Sequence, residues 1–113
     1  MKTISTLYRG EQPSGGGEAL VYVDGIPLAP RLDLRNHSPT GFGHGYGGSG
    51  PSQLALAILA DFLQDDRRAL VLYQPFKWRI IAQILQGEAW TLTGAQVADV
   101  VEVLEDEMHR RTT

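Results

Sequence analysis

Polar and apolar positions alternate along Thr3-Ile4-Ser5-Thr6-Leu7-Tyr8, a stretch rich in strand formers, and this period of two predicts a β-strand. Gly10 through Gly17, with Pro13 and three consecutive glycines, reads as a loop. Ala19-Leu20-Val21-Tyr22-Val23 predicts a second strand. It ends at Asp24-Gly25, the pair favoured in a two-residue hairpin whose central positions need positive φ. Ile26-Pro27-Leu28 is then a short returning strand, confined to an edge because Pro27 cannot donate to a ladder. A sheet of two or three such strands is marginal alone, so helices must cover its apolar face.

The period changes after Pro51, a residue suited to a first helical turn. Gln53 to Gln64 is built from Leu, Ala, Ile and Phe on nearly every side, which predicts a buried central helix. Asp65-Asp66-Arg67-Arg68 opens a second helix expected to reach Tyr73, where Pro75 interrupts it. A third is expected over Phe76 to Leu85, with Phe76, Ile80, Ile81, Ile84 and Leu85 inward and Gly87 as its stop. Thr93 with Gln96 three residues on forms a capping box. The helix it starts runs to Arg110, with Val97, Val100, Val101, Leu104 and Met108 on one stripe. Trp78 and Trp90 fall within or beside these apolar segments and are expected in or near the core.

The reading is therefore an α+β fold in one domain, residues 1–113. A small antiparallel N-terminal sheet (1–30) packs against about four α-helices (51–113), with a long, ordered glycine-rich loop (31–50) between them.

Composition narrows the setting. The chain has 113 residues, 42% hydrophobic and 20% charged, which is ordinary for a globular protein. It has no cysteine, excluding disulfides, thiolate ligation and cysteine catalysis. No apolar run approaches bilayer length and the N-terminus lacks a signal-peptide stretch, so the expectation is a cytoplasmic protein with no membrane attachment. The net charge of -3 arises wholly after residue 90, where Asp99, Glu102, Glu105, Asp106 and Glu107 face only Arg110 and Arg111. With two lysines and no basic run longer than a pair, the chain lacks the footprint for binding a nucleic-acid duplex. The acidic helix reads first as a solvated face and second as a contact for a basic partner.

Residues 41–50 hold six glycines, alternating with Phe42, His44 and Tyr46, a spacing that suits a wrapped, packed loop better than a flexible linker. Three chemistries are open to it. Gly43-x-Gly45-x-x-Gly48 and Gly45-x-Gly47-x-x-Gly50 match the dinucleotide spacing, but no strand precedes them and no lysine follows. A generic anion at Gly47, Gly48, Ser49 and Gly50, where a helix starts, remains an alternative. Asp33, His37, His44 and Ser49 invite a catalytic reading, yet they equally suit turns and caps beside Asn36 and Ser38. Proline at position 51 breaks the nucleophile-elbow pattern around Ser49. His37, His44 and His109 lack metal-ligand spacing, so no catalytic residue, metal or cofactor is assigned. The third chemistry is recognition through Arg35, His37, Phe42, His44 and Tyr46, whose aromatic and arginine members suit an interface.

Asp33-Leu34-Arg35-Asn36-His37-Ser38-Pro39-Thr40-Gly41-Phe42, Gly45-Tyr46-Gly47-Gly48-Ser49-Gly50-Pro51 and Gln53-Leu54-Ala55-Leu56-Ala57 resemble the signature of a small bacterial and phage family of unknown function. Tyr8-Arg9-Gly10, Tyr73-Gln74 and Phe76-Lys77 are similar to its flanking pattern. Gly43-His44 stands where that pattern commonly has an acidic-aromatic pair, so no role for a tryptophan there carries over. The resemblance implies a phage or mobile-element setting and supplies no activity. The leading expectation is a non-enzymatic interaction protein that binds, and as one form inhibits or regulates, a host protein or complex such as a defence system. The alternative is a small-anion or nucleotide-binding protein or enzyme built on the glycine-rich loop, with Arg35 or His37 as charged partner. The oligomeric state is left open.

Overall fold

A computed structural model describes residues 1–11, 20–37, 42, 48–84 and 88–112. The element order is β1 (Leu7–Glu11), β2 (Leu20–Val23), β3 (Ile26–Pro27), α1 (Ser49–Leu63), α2 (Asp66–Arg79), a 3₁₀ turn at Ile81–Gln83, β4 (Trp90–Thr93) and α3 (Gly94–Thr112). The fold is α+β, with an antiparallel four-stranded sheet in the order β3-β2-β1-β4.

The hairpin forms where Asp24-Gly25 places it, with φ of 48° and 82° at the two turn residues. Asp24 also ties the turn to β1, its Oδ1 accepting from the Leu7 N–H and its own N–H donating to the Leu7 carbonyl, both at 2.9 Å. β3 lies at the sheet edge, as Pro27 requires. The first strand sits later than expected, because Thr6 N–H bonds back to Thr3 C=O at 3.1 Å and turns the chain before Leu7. Strand β4 was not anticipated. Trp90-Thr91-Leu92-Thr93 pairs with Leu7–Gly10 at the far side of β1, partners eighty or more positions away. Tyr8, Val21, Val23, Trp90 and Leu92 are buried on the helix-facing side. Leu7, Arg9, Leu20 and Thr91 are exposed on the other.

α1 is buried on every face from Gly50 to Ala60, matching its all-round apolar sequence, and packs along α2. The expected break at Pro75 is a correction: α2 continues through it to Arg79, so the described residues contain three α-helices rather than four. An interior proline costs roughly 3 kcal/mol, which packing of Leu72, Tyr73 and Phe76 on both sides of it offsets. The chain then tightens into the 3₁₀ turn, where Ile81 is fully buried. Leu85 and Gly87, its expected end, lie outside the described residues.

The capping box forms as read: Thr93 Oγ1 accepts from Gln96 N–H at 3.2 Å, and Gln96 Oε1 accepts from Thr93 N–H at 2.8 Å. Val97, Val101 and Leu104 are buried, with Val100 and Met108 packed beside them. The acidic face is partly neutralised within the molecule. Arg68 holds Glu105 at 2.6 Å, Arg79 holds Glu107 at 3.1 Å and Arg110 holds Asp106 at 3.1 Å. Each pair is exposed enough to contribute less than about 1 kcal/mol.

One buried hydroxyl couples sheet and helix. Tyr8, with no exposed surface, donates to Asp61 Oδ2 at 2.6 Å, and Lys2 Nζ holds the same carboxylate at 3.0 Å. Burial first, then the hydrogen bond to Asp61 and the nearby carboxylates, pushes the Tyr8 phenol far above its ordinary range. A folded-state value above the unfolded one gives stability that is present below about pH 10 and lost as pH rises beyond it. Chemical denaturation should therefore show wild type losing more stability between neutral pH and strong alkali than Tyr8→Phe; equal losses would remove Tyr8 as the cause.

Candidate functional site

The site is built where the start of α1 opposes the second half of α2, because the two helices form an antiparallel hairpin around Gln64 and Asp65. Residues 28–37 run back over it from the sheet. Leu28 is buried and its N–H bonds to Val21 C=O at 2.9 Å, which ties the segment to β2. Arg31 follows with φ of 57°, a left-handed conformation uncommon for a residue with a Cβ. Its guanidinium forks onto Asp33 at 3.0 Å and Asp66 at 2.8 Å, tying the segment to the start of α2. These bonds hold Asp33 below the usual carboxylate range and keep Arg31 cationic.

The centre of the arrangement is Gln53. It lies in the first half of α1 with no exposed surface, and both ends of its amide are used. Nε2 donates to Pro30 C=O at 2.6 Å, and Oε1 accepts from His37 N–H at 2.8 Å. One side chain thus satisfies two backbone groups seven residues apart and clamps the segment between them. His37 completes the clamp on its other side. Its Nε2 lies 2.7 Å from the Tyr73 hydroxyl, with the rings tilted at 46° and their centroids 5.5 Å apart.

One turn beyond Tyr73, Lys77 is also buried, and its Nζ sits 4.4 Å from the centroid of the Trp78 ring. Trp78 itself is 57% exposed, so its expected place in the core is corrected. It lies on the solvent side of α2, opposite the face that meets α1. Trp90 does occupy the core margin, lying across Gly10 on β1 where any Cβ would meet the indole.

The residues singled out in the sequence separate into four groups. His37 is half-buried and held by Gln53 and Tyr73, while Arg35 is exposed and, among the described residues, reaches only the Leu34 carbonyl, at 2.8 Å. Phe42 is half-buried and packs against the core, so that ring faces inward at least in part. Gly48 is the N-cap of α1 and offers no side-chain cap, and Ser49 is the first helical residue, exposed rather than capping as expected. Gly50 is buried under the same helix start. His44, Tyr46 and Gly47, and with them the ordered character of the glycine-rich loop, lie outside the described residues.

Asp33 is engaged by Arg31 and Ser49 faces solvent, and neither is bonded to His37, so the described residues assemble no base-and-nucleophile pair there. No cluster able to hold a metal ion occurs among the described residues. No described helix is long and apolar enough to cross a membrane.

Gln53, Tyr73 and Lys77 were not picked out as site residues. Two signals marked them. Gln53 is a polar position opening an apolar run, and all three lie in the short segments that carry the family resemblance. Gln53 and Tyr73, twenty positions apart in the chain, both reach His37.

No curated protein and no solved structure matches the chain. A family described as of unknown function, DUF6166, matches over residues 8–103, a span that takes in all but the first residue of β1, the segment clamped by Gln53, both helices of the hairpin and the first half of α3. The chain belongs to that family of unknown function, DUF6166.

Proposed function

We propose that the protein is a non-enzymatic interaction module that presents residues 31–50 to a protein partner from the end of the α1–α2 hairpin. The Gln53 clamp carries this reading, because a fully buried amide spent on Pro30 and His37 holds the segment's first part against a rigid support. Arg35, two residues from the clamp, is exposed and free to contact a partner. The phage or mobile-element setting, with a host protein or complex as partner, rests on the sequence resemblance. A cytoplasmic location fits the absence of cysteine.

The test is affinity capture from bacterial lysate with wild type and an Arg35→Ala, Tyr46→Ala variant that melts like wild type. The expected result is one stoichiometric partner retained by wild type and lost by the variant. Equal capture by both, or none by either, contradicts the proposal.

The uncapped start of α1 at Gly48 favours a second reading, a small anion or nucleotide on the first helical N–H groups with Arg35 or His37 as partner. Thermal shift with inorganic phosphate and nucleotides separates the two. Saturation at a hundred times the dissociation constant adds about 2.7 kcal/mol and raises the midpoint by several degrees, whereas the interaction reading expects no shift.

A further inference from the structure

Ion pairing between α2 and α3 leaves an uneven remainder. Arg68 and Arg79 are consumed by Glu105 and Glu107, and Asp66 by Arg31. What stays exposed on α2 is Arg67, Val71 and Trp78, spaced i, i+4 and i+11, which places them on one stripe within about 40° of each other. Val71 is 53% exposed and Trp78 57%, on a helix whose other large apolar side chains are buried or partly buried. Arg67 has no ion-pair partner among the described residues. On the first half of α3 the exposed remainder has the opposite sign, Arg111 being a further exposed cation in its last turn. Asp99 and Glu102 lie unpaired among the described residues, beside Val103 at 42% exposure.

Each stripe therefore carries what the other lacks. One is apolar with a cation, the other apolar with two anions, and the two helices pack against each other within the protein. A surface with both halves of a complementary pair on neighbouring helices is satisfied twice by a two-fold axis, which lays α2 of each copy on α3 of the other. A solvent-exposed tryptophan is also the residue type most enriched at the energetic centre of interfaces.

We infer that the chain forms a two-fold homodimer in which Arg67 and Val71 of one copy meet the Asp99–Glu102–Val103 stripe of the other, with Trp78, about 16 Å along α2 from Arg67, extending the contact. This assembly goes beyond the partner reading and does not depend on it, since it uses neither Arg35 nor the segment clamped by Gln53.

Sedimentation equilibrium of the full chain over a wide concentration range tests it. A monomer–dimer equilibrium is expected, weakened by added salt because charge pairs at an interface rim are screened. Trp78→Ala, Arg67→Glu and Glu102→Arg should each weaken the dimer by about tenfold or more. The double swap Arg67→Glu with Glu102→Arg should recover much of the loss, which a surface built from other residues would not do. All three substituted positions face solvent, and unchanged melting curves will show that the fold is kept. A single monomeric species up to millimolar concentration overturns the inference, as does a dimer indifferent to these substitutions.

Discussion

Gly94→Ala will destabilise the protein by about 3 kcal/mol and lower its melting midpoint by roughly 10 °C. Helix propensity alone predicts the reverse, since alanine is the better helix former by about 1 kcal/mol. Packing decides the sign. A Cβ at Gly94 would stand 2.1 Å from the Thr3 carbonyl oxygen and 3.1 Å from Cε1 of Phe62. The first of these is backbone and cannot swing aside as a flexible side chain would. It is also pinned: Gly94 N–H bonds to Thr6 C=O at 2.7 Å, Ala95 N–H to Ile4 C=O at 3.1 Å, and Lys2 N–H to Phe62 C=O at 2.7 Å. Relieving the clash means lifting residues 2–6 off α1 and α3 together, with loss of those bonds. Thermal denaturation followed by circular dichroism reads the result. A variant as stable as wild type would mean that the N-terminal segment is not docked on the start of α3.

The second large effect is expected at Gln53. Gln53→Leu keeps the volume and adds apolar character to an already apolar helix, so burial alone would make it neutral or better. It also strips the partners from Pro30 C=O and His37 N–H. Leaving a fully buried polar group unsatisfied costs about 1–3 kcal/mol, and the two groups orphaned here are part-buried. Part of that is recovered if residues 31–37 lift into water, so a net loss of about 2 kcal/mol is expected by urea denaturation. Gln53→Glu sharpens the test. A carboxylate still accepts from His37 N–H but meets the Pro30 carbonyl oxygen with no proton to donate. The introduced carboxyl should thus titrate higher when folded, so the stability it contributes is present below the unfolded value near pH 4.3 and lost as pH rises through the folded one. The gap between Gln53→Glu and wild type should accordingly widen from mildly acidic to neutral pH. No loss in either variant would mean that the amide does not hold the segment.

What the chain displays in one dimension follows how local each signal is. Asp24-Gly25, the Thr93/Gln96 box and the all-round apolar run of α1 are complete within a few residues, and all three form as read. β4 does carry a local signal, the alternating strand formers Trp90-Thr91-Leu92-Thr93, but four residues against a helix start fix a strand only once β1 pairs with them. Pro75 is the opposite case, a strong local rule overridden because Leu72, Tyr73 and Phe76 are buried on either side of it. Trp78 was misplaced for a related reason. An apolar neighbourhood in sequence does not say which face of α2 points away from α1, and the 57% exposure of that ring appears only in three dimensions. At the site, Arg35 and His37 stood out as polar residues in an unusual loop. Their supports did not, because Gln53 and Tyr73 act over separations of 16 and 36 residues.

The most direct test of the account is hydrogen exchange at the His37 amide, the group that Gln53 holds. If the clamp presents a fixed segment, this amide will exchange on the order of a hundredfold slower than in an unstructured chain. Gln53→Leu will remove that protection while the amides of Leu56 to Leu59 inside α1 stay protected. An unprotected His37 amide in the wild-type protein would contradict the account, because residues 31–37 would then have no fixed surface to offer a partner.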